Sequence, residues 1–481
     1  MISKSFLKSS FIYTLVGALP MVSSLLLLPF YTNYLSTQLF VSLGFYISIS
    51  MFFQILFSYS VDSYYGVKYT QLSGDEPSQK QFTGTISNLL IIIAAIILLA
   101  ILIVGPFLFT FIFKENLQVY FWPFGFLSIV TAFFNAYFKT CTNAFIYFKK
   151  AERFFWFNVT NFILTLGLSI GGLFLYPDSL IGPIYARLIS GGIIFVMAFF
   201  SFYAYSGLTF NKDYLKELHK FCAPFLIYVL ASWGLGNIDR YFLKDHISAE
   251  TLAAYDLLLK CFLGIEFLQN GLSAAIFPKL FELWNKNKKL ETTPESNRYF
   301  NVFGAINIIL LTGFCIVIPF GLKLIVSKGV YFTSFDYIGI IAGGYATRSI
   351  LNFYLSTILY SKNTWLLVKV FSYSAVFQIA ITYFLVNEFG LKGALYAGVI
   401  TKVVQVLFSL ILTKKIFDYN FNVVKIYLLP LAYLITNVVI FSICPVYNPI
   451  LYFIEFFVFS LLIYFTFKNE IKIVLNQYLK K

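Results

Sequence analysis

The chain has 481 residues, of which 59% are hydrophobic, 21% aromatic and 12% charged, with a mean hydropathy of +0.80. Soluble domains carry about 25% charged residues, so the composition excludes an ordinary soluble enzyme or binding module. A net charge of +14 would suit nucleic acid in a soluble protein. Here no loop is long enough to fold as a basic module, and no nucleic-acid partner is expected.

A helix rising 1.5 Å per residue needs about 20 apolar residues to cross the hydrocarbon core. Such runs recur at 11–32, 39–62, 84–113, 118–138, 154–175, 180–205 and 219–240. They continue at 251–277, 299–322, 333–358, 365–386, 393–413, 424–443 and 449–467. These fourteen segments predict an all-α polytopic membrane protein. The first lacks a small-residue cleavage site and carries Pro20 and Pro29, so it reads as a retained helix rather than a signal peptide.

Basic residues fix the orientation. One set of alternating loops and ends holds Lys4, Lys8, Lys68, Lys80, Lys139, Lys149, Lys150, Arg153, Lys212, Lys216 and Lys220. The same set continues through Lys279, Lys286, Lys288, Lys289, Arg298, Lys362, Lys414, Lys415, Lys425, Lys468, Lys472, Lys480 and Lys481. The other set holds only Lys114, Lys244, Lys323, Lys328 and Lys392. Both termini are therefore expected in the cytoplasm, and most of the positive charge beside anionic lipid. Five scattered cysteines and two distant histidines, His219 and His246, offer no disulfide framework and no metal spacing. No cofactor is expected.

One pattern repeats. Leu180-x-Gly182-x-x-Tyr185-Ala186-x-x-Ile189-Ser190 is echoed, 211 positions on, by Leu391-x-Gly393-x-x-Tyr396-Ala397-x-x-Ile400-Thr401. Tyr46 with Tyr255, and Tyr147 and Lys149 with Tyr360 and Lys362, fit nearly the same offset. The offset spans six helices, which predicts a parallel repeat about an axis along the membrane normal. The expected organisation is an N-terminal lobe over 1–210, a C-terminal lobe over 211–415, and two further helices with a tail over 416–481. Generic similarity of helix starts is the alternative.

Six basic residues fall inside apolar segments: Arg187, Arg240, Lys260, Arg348, Lys369 and Lys402. A charge at bilayer depth costs at least about 2.5–3.5 kcal/mol, so it needs a cavity, a partner or a route to the interface. Arg240 and Lys369 lie close enough to helix ends to snorkel; Lys260, Arg348 and Lys402 lie deeper. Arg348 shares a helix face with Asn352, and Lys402 shares one with Gln405 and Ser409. The acids are fewer: Asp62, Asp239, Asp256, Glu266 and Glu455. Asp256 and Lys260, four apart, can neutralise each other within one helix. The surplus of cations points to an anionic substrate in a cleft between lobes. Asp62, Asp256 and Glu266 are the candidates for carrying a coupling ion, since a desolvated acid can hold a proton.

The order of features resembles the polysaccharide transporter branch of the multidrug/oligosaccharidyl-lipid/polysaccharide (MOP) exporter superfamily, which includes the Wzx-type O-antigen flippases. The resemblance rests on Tyr34-Leu35 followed by Gly44-x-Tyr46, on Tyr65-Gly66-Val67-Lys68-Tyr69, and on Asn143-Ala144 through Lys149-Lys150. It continues with Gly182-x-x-Tyr185-Ala186, Lys220-Phe221-x-Ala223-Pro224, Asn237 through Leu243 with Asp239-Arg240, then Tyr255, Lys260 and Pro278. Two departures are Ala254, where the family usually has Gly, and Lys68 in place of a frequent Arg.

The resemblance implies two six-helix lobes in a bacterial inner membrane. They would move an undecaprenyl-diphosphate-linked oligosaccharide from the cytoplasmic to the outer leaflet by alternating access, as an ion-coupled antiporter. O-antigen or lipopolysaccharide, capsule or exopolysaccharide synthesis would be served, with a polymerase and a chain-length regulator as candidate partners. Lys260, Arg348, Lys68, Arg240, Arg187 and Lys402 would bind the anionic substrate. A peptidoglycan lipid-precursor flippase and a multidrug exporter of the same superfamily are the alternatives. A membrane-embedded polymerase fits less well: the longest loop, Pro278–Arg298, is Lys-rich and holds no paired carboxylates, and no P-loop occurs.

Overall fold

In the computed structural model the described residues are 13, 16–113, 117–287, 291–361 and 363–468. The expectations placed on Lys4, Lys8, Lys114, Lys288, Lys289, Lys362, Lys472, Lys480 and Lys481 lie outside them, as does the side chain of Lys286. The chain forms two compact units, Met1–Trp233 and Gly234–Lys481. The division falls within a helix rather than at the expected loop near 210.

The first unit contains α1 (Leu19–Tyr34), α2 (Thr37–Ser58), α3 (Val61–Gln71), α4 (Glu76–Ile112), α5 (Phe126–Tyr147), α6 (Ala151–Leu175) and α7 (Ile181–Ser206). A short π-helical turn, Phe121–Gly125, leads into α5. The expected second span is broken into α2 and α3 by Tyr59 and Ser60, both in the left-handed region at φ 47° and 54°. Asp75 accepts the Ser78 amide at 3.1 Å and starts α4, with Pro at its first turn. α5 packs on α2 and α7, and α6 packs on α1 and α7. Gly66 leaves room for the Tyr147 ring on α3, where any side chain would collide with it.

α8 (Asp213–Leu243) spans the division between units. The second unit continues with α9 (Ala249–Asn287), α10 (Pro294–Ile325), α11 (Ile338–Tyr360), α12 (Thr364–Thr413), α13 (Leu429–Ile443) and α14 (Pro449–Thr466). α11 is central, packing on α10, α12 and α13, while α14 packs on α10. The segment after 415, expected to form a region of its own, thus joins this unit. Its core includes Trp284, Phe300, Phe353, Tyr354 and Phe417. Thr293 and Ser296 start α10 with a reciprocal capping box.

The fourteen expected segments fall on these helices in order, with 365–386 and 393–413 sharing α12. Gly390, at φ 55°, breaks that helix between them in a conformation that suits glycine. The repeat has a structural echo. Gly182 lies against the backbone of Gly172 and Leu173, and Gly393 lies against the backbone of Leu385 and Val386. In both places a missing Cβ lets a helix close on the one before it.

Ten helices among the described residues are long and apolar enough to cross a membrane. Their outward faces are apolar, as lipid requires: α4 exposes Ile96, Ile103, Phe107 and Phe111, the last at 88%. Buried hydroxyls bond to carbonyls of their own helix, as in Thr83 to Gln79, Ser374 to Val370 and Thr413 to Ser409. The protein is thus an all-α polytopic membrane protein. α9 and α11 fall short of that apolarity, because α9 carries Glu266, Gln269 and Asn270 while α11 carries Tyr345, Arg348 and Asn352.

Orientation is testable with a native side chain. Cys444, which follows α13, is exposed, whereas Cys141, Cys222, Cys261 and Cys315 are buried. A membrane-impermeant maleimide is expected to label Cys444 from outside intact cells. Labelling there only after permeabilisation, or labelling within 285–293 from outside, would reverse the assigned topology.

Candidate functional site

The two helices that are too polar to be ordinary spans turn their polar faces to each other. Glu266, Asn270 and Ser273 recur at helical spacing along α9, and Tyr345, Arg348 and Asn352 do so along α11. Arg348 meets Glu266 at 3.1 Å and donates to the Asn270 carbonyl oxygen at 3.0 Å. The Tyr345 hydroxyl donates to Glu266 at 2.9 Å, and Asn352 donates to Ser273 at 3.0 Å. Behind this row Gln269 donates to Asn307 of α10 at 2.6 Å. Each polar group on the stripe is met by another, which lets two such helices pack in a low-dielectric medium.

Lys402, from the second half of α12, places its ammonium 4.5 Å from the centre of the Tyr345 ring, a cation–π contact. It rests against Gly344 and lies in electrostatic reach of Glu266, Arg348 and Asp239. Phe262 stacks on Tyr345 with centroids 5.0 Å apart and holds the ring in place. The Glu266 and Arg348 side chains remain 33% and 27% exposed. This pair can still be approached, and an incoming anion can compete with Glu266 for the guanidinium.

A second, closed cluster adjoins the first. Arg240 meets Asp256 at 3.4 Å, with side chains only 9% and 2% exposed. Asp239 accepts a hydrogen bond from the Tyr255 hydroxyl and another from the Arg240 amide at 2.8 Å. The sequence left Arg240 free to snorkel, but it is buried and forms an ion pair with Asp256. Lys260 stands one turn beyond Asp256 on α9, half-buried and partnered. Arg240, Asp256, Lys260, Glu266, Arg348 and Lys402 are thus all in the second unit.

The other candidates lie in the first unit. Lys68 is paired with Glu217 and lies 5.9 Å from the Tyr214 ring centre. Asp62 meets Lys139 at 2.8 Å. Beside them the Tyr59 hydroxyl bonds to His219 Nδ1 at 2.6 Å, and the Cys222 thiol lies 3.7 Å from the Ser60 carbonyl. The start of α8 is thereby fastened to the broken second span. Arg187 lines a small cavity with Tyr46, Ser50, Ser128 and Thr131 and makes no ion pair among the described residues.

The excess of cations read from the sequence is therefore smaller in space, since Lys68, Arg240 and Arg348 each meet an acid. Sequence reasoning missed Tyr345, Asn270 and Glu217. The first two were within reach: Asn270 follows Glu266 by four residues, and Tyr345 precedes Arg348 by three. Glu217 gave no such signal, because its partner is 149 residues away.

No family model matches the sequence, and no curated protein matches it. Solved structures do share its fold. A lipid II flippase, MurJ, in an inward closed conformation aligns with a TM-score of 0.72 at 15% identity, covering 97% of this chain and 99% of that one. An inward-facing multidrug resistance MATE family transporter of the MOP superfamily aligns at 0.61 and 12%, covering 82% and 97%. A MATE protein in the straight conformation aligns at 0.59 and 13%, covering 86% and 95%. The chain shares the fold of these structures.

Proposed function

We propose that the protein is a flippase that carries an undecaprenyl-diphosphate-linked oligosaccharide from the cytoplasmic to the outer leaflet. The observation that carries this reading is the half-open Glu266–Arg348 pair on a polar stripe between two membrane helices, with Lys402 beside it. A guanidinium offers paired donors that match phosphate oxygens. When a diphosphate takes Arg348, Glu266 is released and can accept a proton, which would couple substrate to ion. Rings such as Tyr345 suit sugar faces. Surface-polysaccharide synthesis is the setting, with a polymerase downstream of the flipped lipid.

A peptidoglycan lipid-precursor flippase is the second reading, favoured by the alignment with MurJ over nearly the whole of both chains. Multidrug export fits less well, because cationic drugs call for unpaired acids and Glu266 is held by Arg348.

The test is flipping in proteoliposomes with three cargoes: an undecaprenyl-diphosphate oligosaccharide, lipid II, and a lipophilic cation. Transport of the oligosaccharide lipid alone is expected. Transport of lipid II alone would move the assignment to the second reading, and transport of the cation alone would overturn both. In the Glu266→Gln variant the substrate should still bind, while its transport loses most of its response to an imposed pH gradient.

A further inference from the structure

Glu455, on α14, is 4% exposed, and Asn437, on α13, is fully buried. The Asn437 amide donates to Glu455 Oε1 at 2.6 Å. The other two polar atoms of the pair, Glu455 Oε2 and Asn437 Oδ1, are both buried and have no hydrogen-bond partner. Two buried acceptors left without a donor within one hydrogen-bonded pair are what a missing proton leaves behind.

The titratable groups around the carboxyl are all neutral types: Cys315 from α10, Tyr433 from α13, and Tyr452 on its own helix. α11 contributes Gly339, whose missing side chain leaves room for Asn437 Oδ1 and the Tyr452 hydroxyl. The Tyr433 hydroxyl is 3.9 Å from the Cys315 sulfur. Among the described residues Glu455 makes no ion pair. A carboxylate removed from water with one amide donor and no cation is very costly, whereas a neutral acid is tolerated.

We propose that Glu455 is a proton-binding site within the membrane, its occupied form a reciprocal acid–amide pair in which Oε2–H donates to Asn437 Oδ1. One proton then satisfies both orphaned oxygens and removes the charge. The pair joins α14 to α13 where α13 meets α11, so loss of the proton would loosen the last two helices from the rest of the second unit. The site needs no substrate, and its test stands apart from any transport assay.

The experiment is an infrared difference spectrum of purified wild-type protein against Glu455→Gln near neutral pH. Gln preserves the reciprocal pair, because its amide donates where the acid proton did. The expected difference is the carbonyl stretch of a neutral carboxyl, present only in wild type and shifted in D2O. A difference confined to carboxylate bands would overturn the proposal. If the variant does not accumulate, wild-type protein carrying 13C-carboxyl glutamate must still show a neutral-acid band at that pH, and its absence would be equally decisive. Thermal stabilisation of wild type by sodium at constant ionic strength, absent in Glu455→Gln, would instead establish a metal-cation site and overturn proton binding.

Discussion

Export of surface polysaccharide is expected to be abolished in a Lys260→Ala, Arg348→Ala double variant whose protein still reaches the membrane at the normal level. The Arg348 and Glu266 side chains are only partly buried, so this pair is not sealed inside the protein as Arg240–Asp256 is. The value of Arg348 lies in what it can bind. Without the guanidinium, Glu266 keeps the Tyr345 hydroxyl and faces the space a diphosphate would enter as an unopposed anion. Arg348→Lys should keep part of the activity if a point charge suffices, and much less if phosphate is gripped by two parallel hydrogen bonds. Complementation of polysaccharide display, read beside protein level, distinguishes the outcomes. Full display in the double variant would remove the cationic mechanism. Loss of protein together with display would show that these cations hold the helices together.

Arg240→Ala is expected to act differently, by removing folded protein. The Arg240–Asp256 pair is almost wholly buried, and breaking such a pair by deleting one partner costs about 3–5 kcal/mol, because the other charge is left uncompensated. Asp239 and Asp256 would then stand close together in the membrane, with Lys402 in electrostatic reach of Asp239 but no guanidinium against Asp256. Asp256→Asn in the Arg240→Ala background removes one of the two stranded charges and should restore part of the expression. The measurement is the detergent-solubilised monodisperse fraction of each variant. Normal folding of Arg240→Ala with selective loss of export would return Arg240 to a substrate-binding role.

Some features of this protein are legible in the order of its residues. Segment positions were readable because crossing hydrocarbon requires about 20 apolar residues whatever the neighbours do. The kink at Gly390 was readable as a gap between two runs. The Gly182 and Gly393 contacts were readable as a repeated pattern, since close approach of two backbones restricts the residue type. Arg348 with Asn352 stood out because a polar stripe on an apolar helix repeats at helical spacing, a short-range property of the chain.

What each charge meets was decided only by the tertiary structure. From spacing, Asp256 had Lys260 as its nearest candidate partner; the fold also brings it Arg240 from another helix. Arg240 looked near enough to a helix end to reach water, yet α8 turns it inward. Lys68 finds Glu217, and Asn437 finds Glu455, across loops and helices whose residues carry no mark of the pairing. The physical reason is range. The cost of burial acts on each residue alone and is written locally as hydrophobicity, whereas an ion pair or hydrogen bond needs two groups within about 3–4 Å. Only the packing of helices distant in sequence sets that separation.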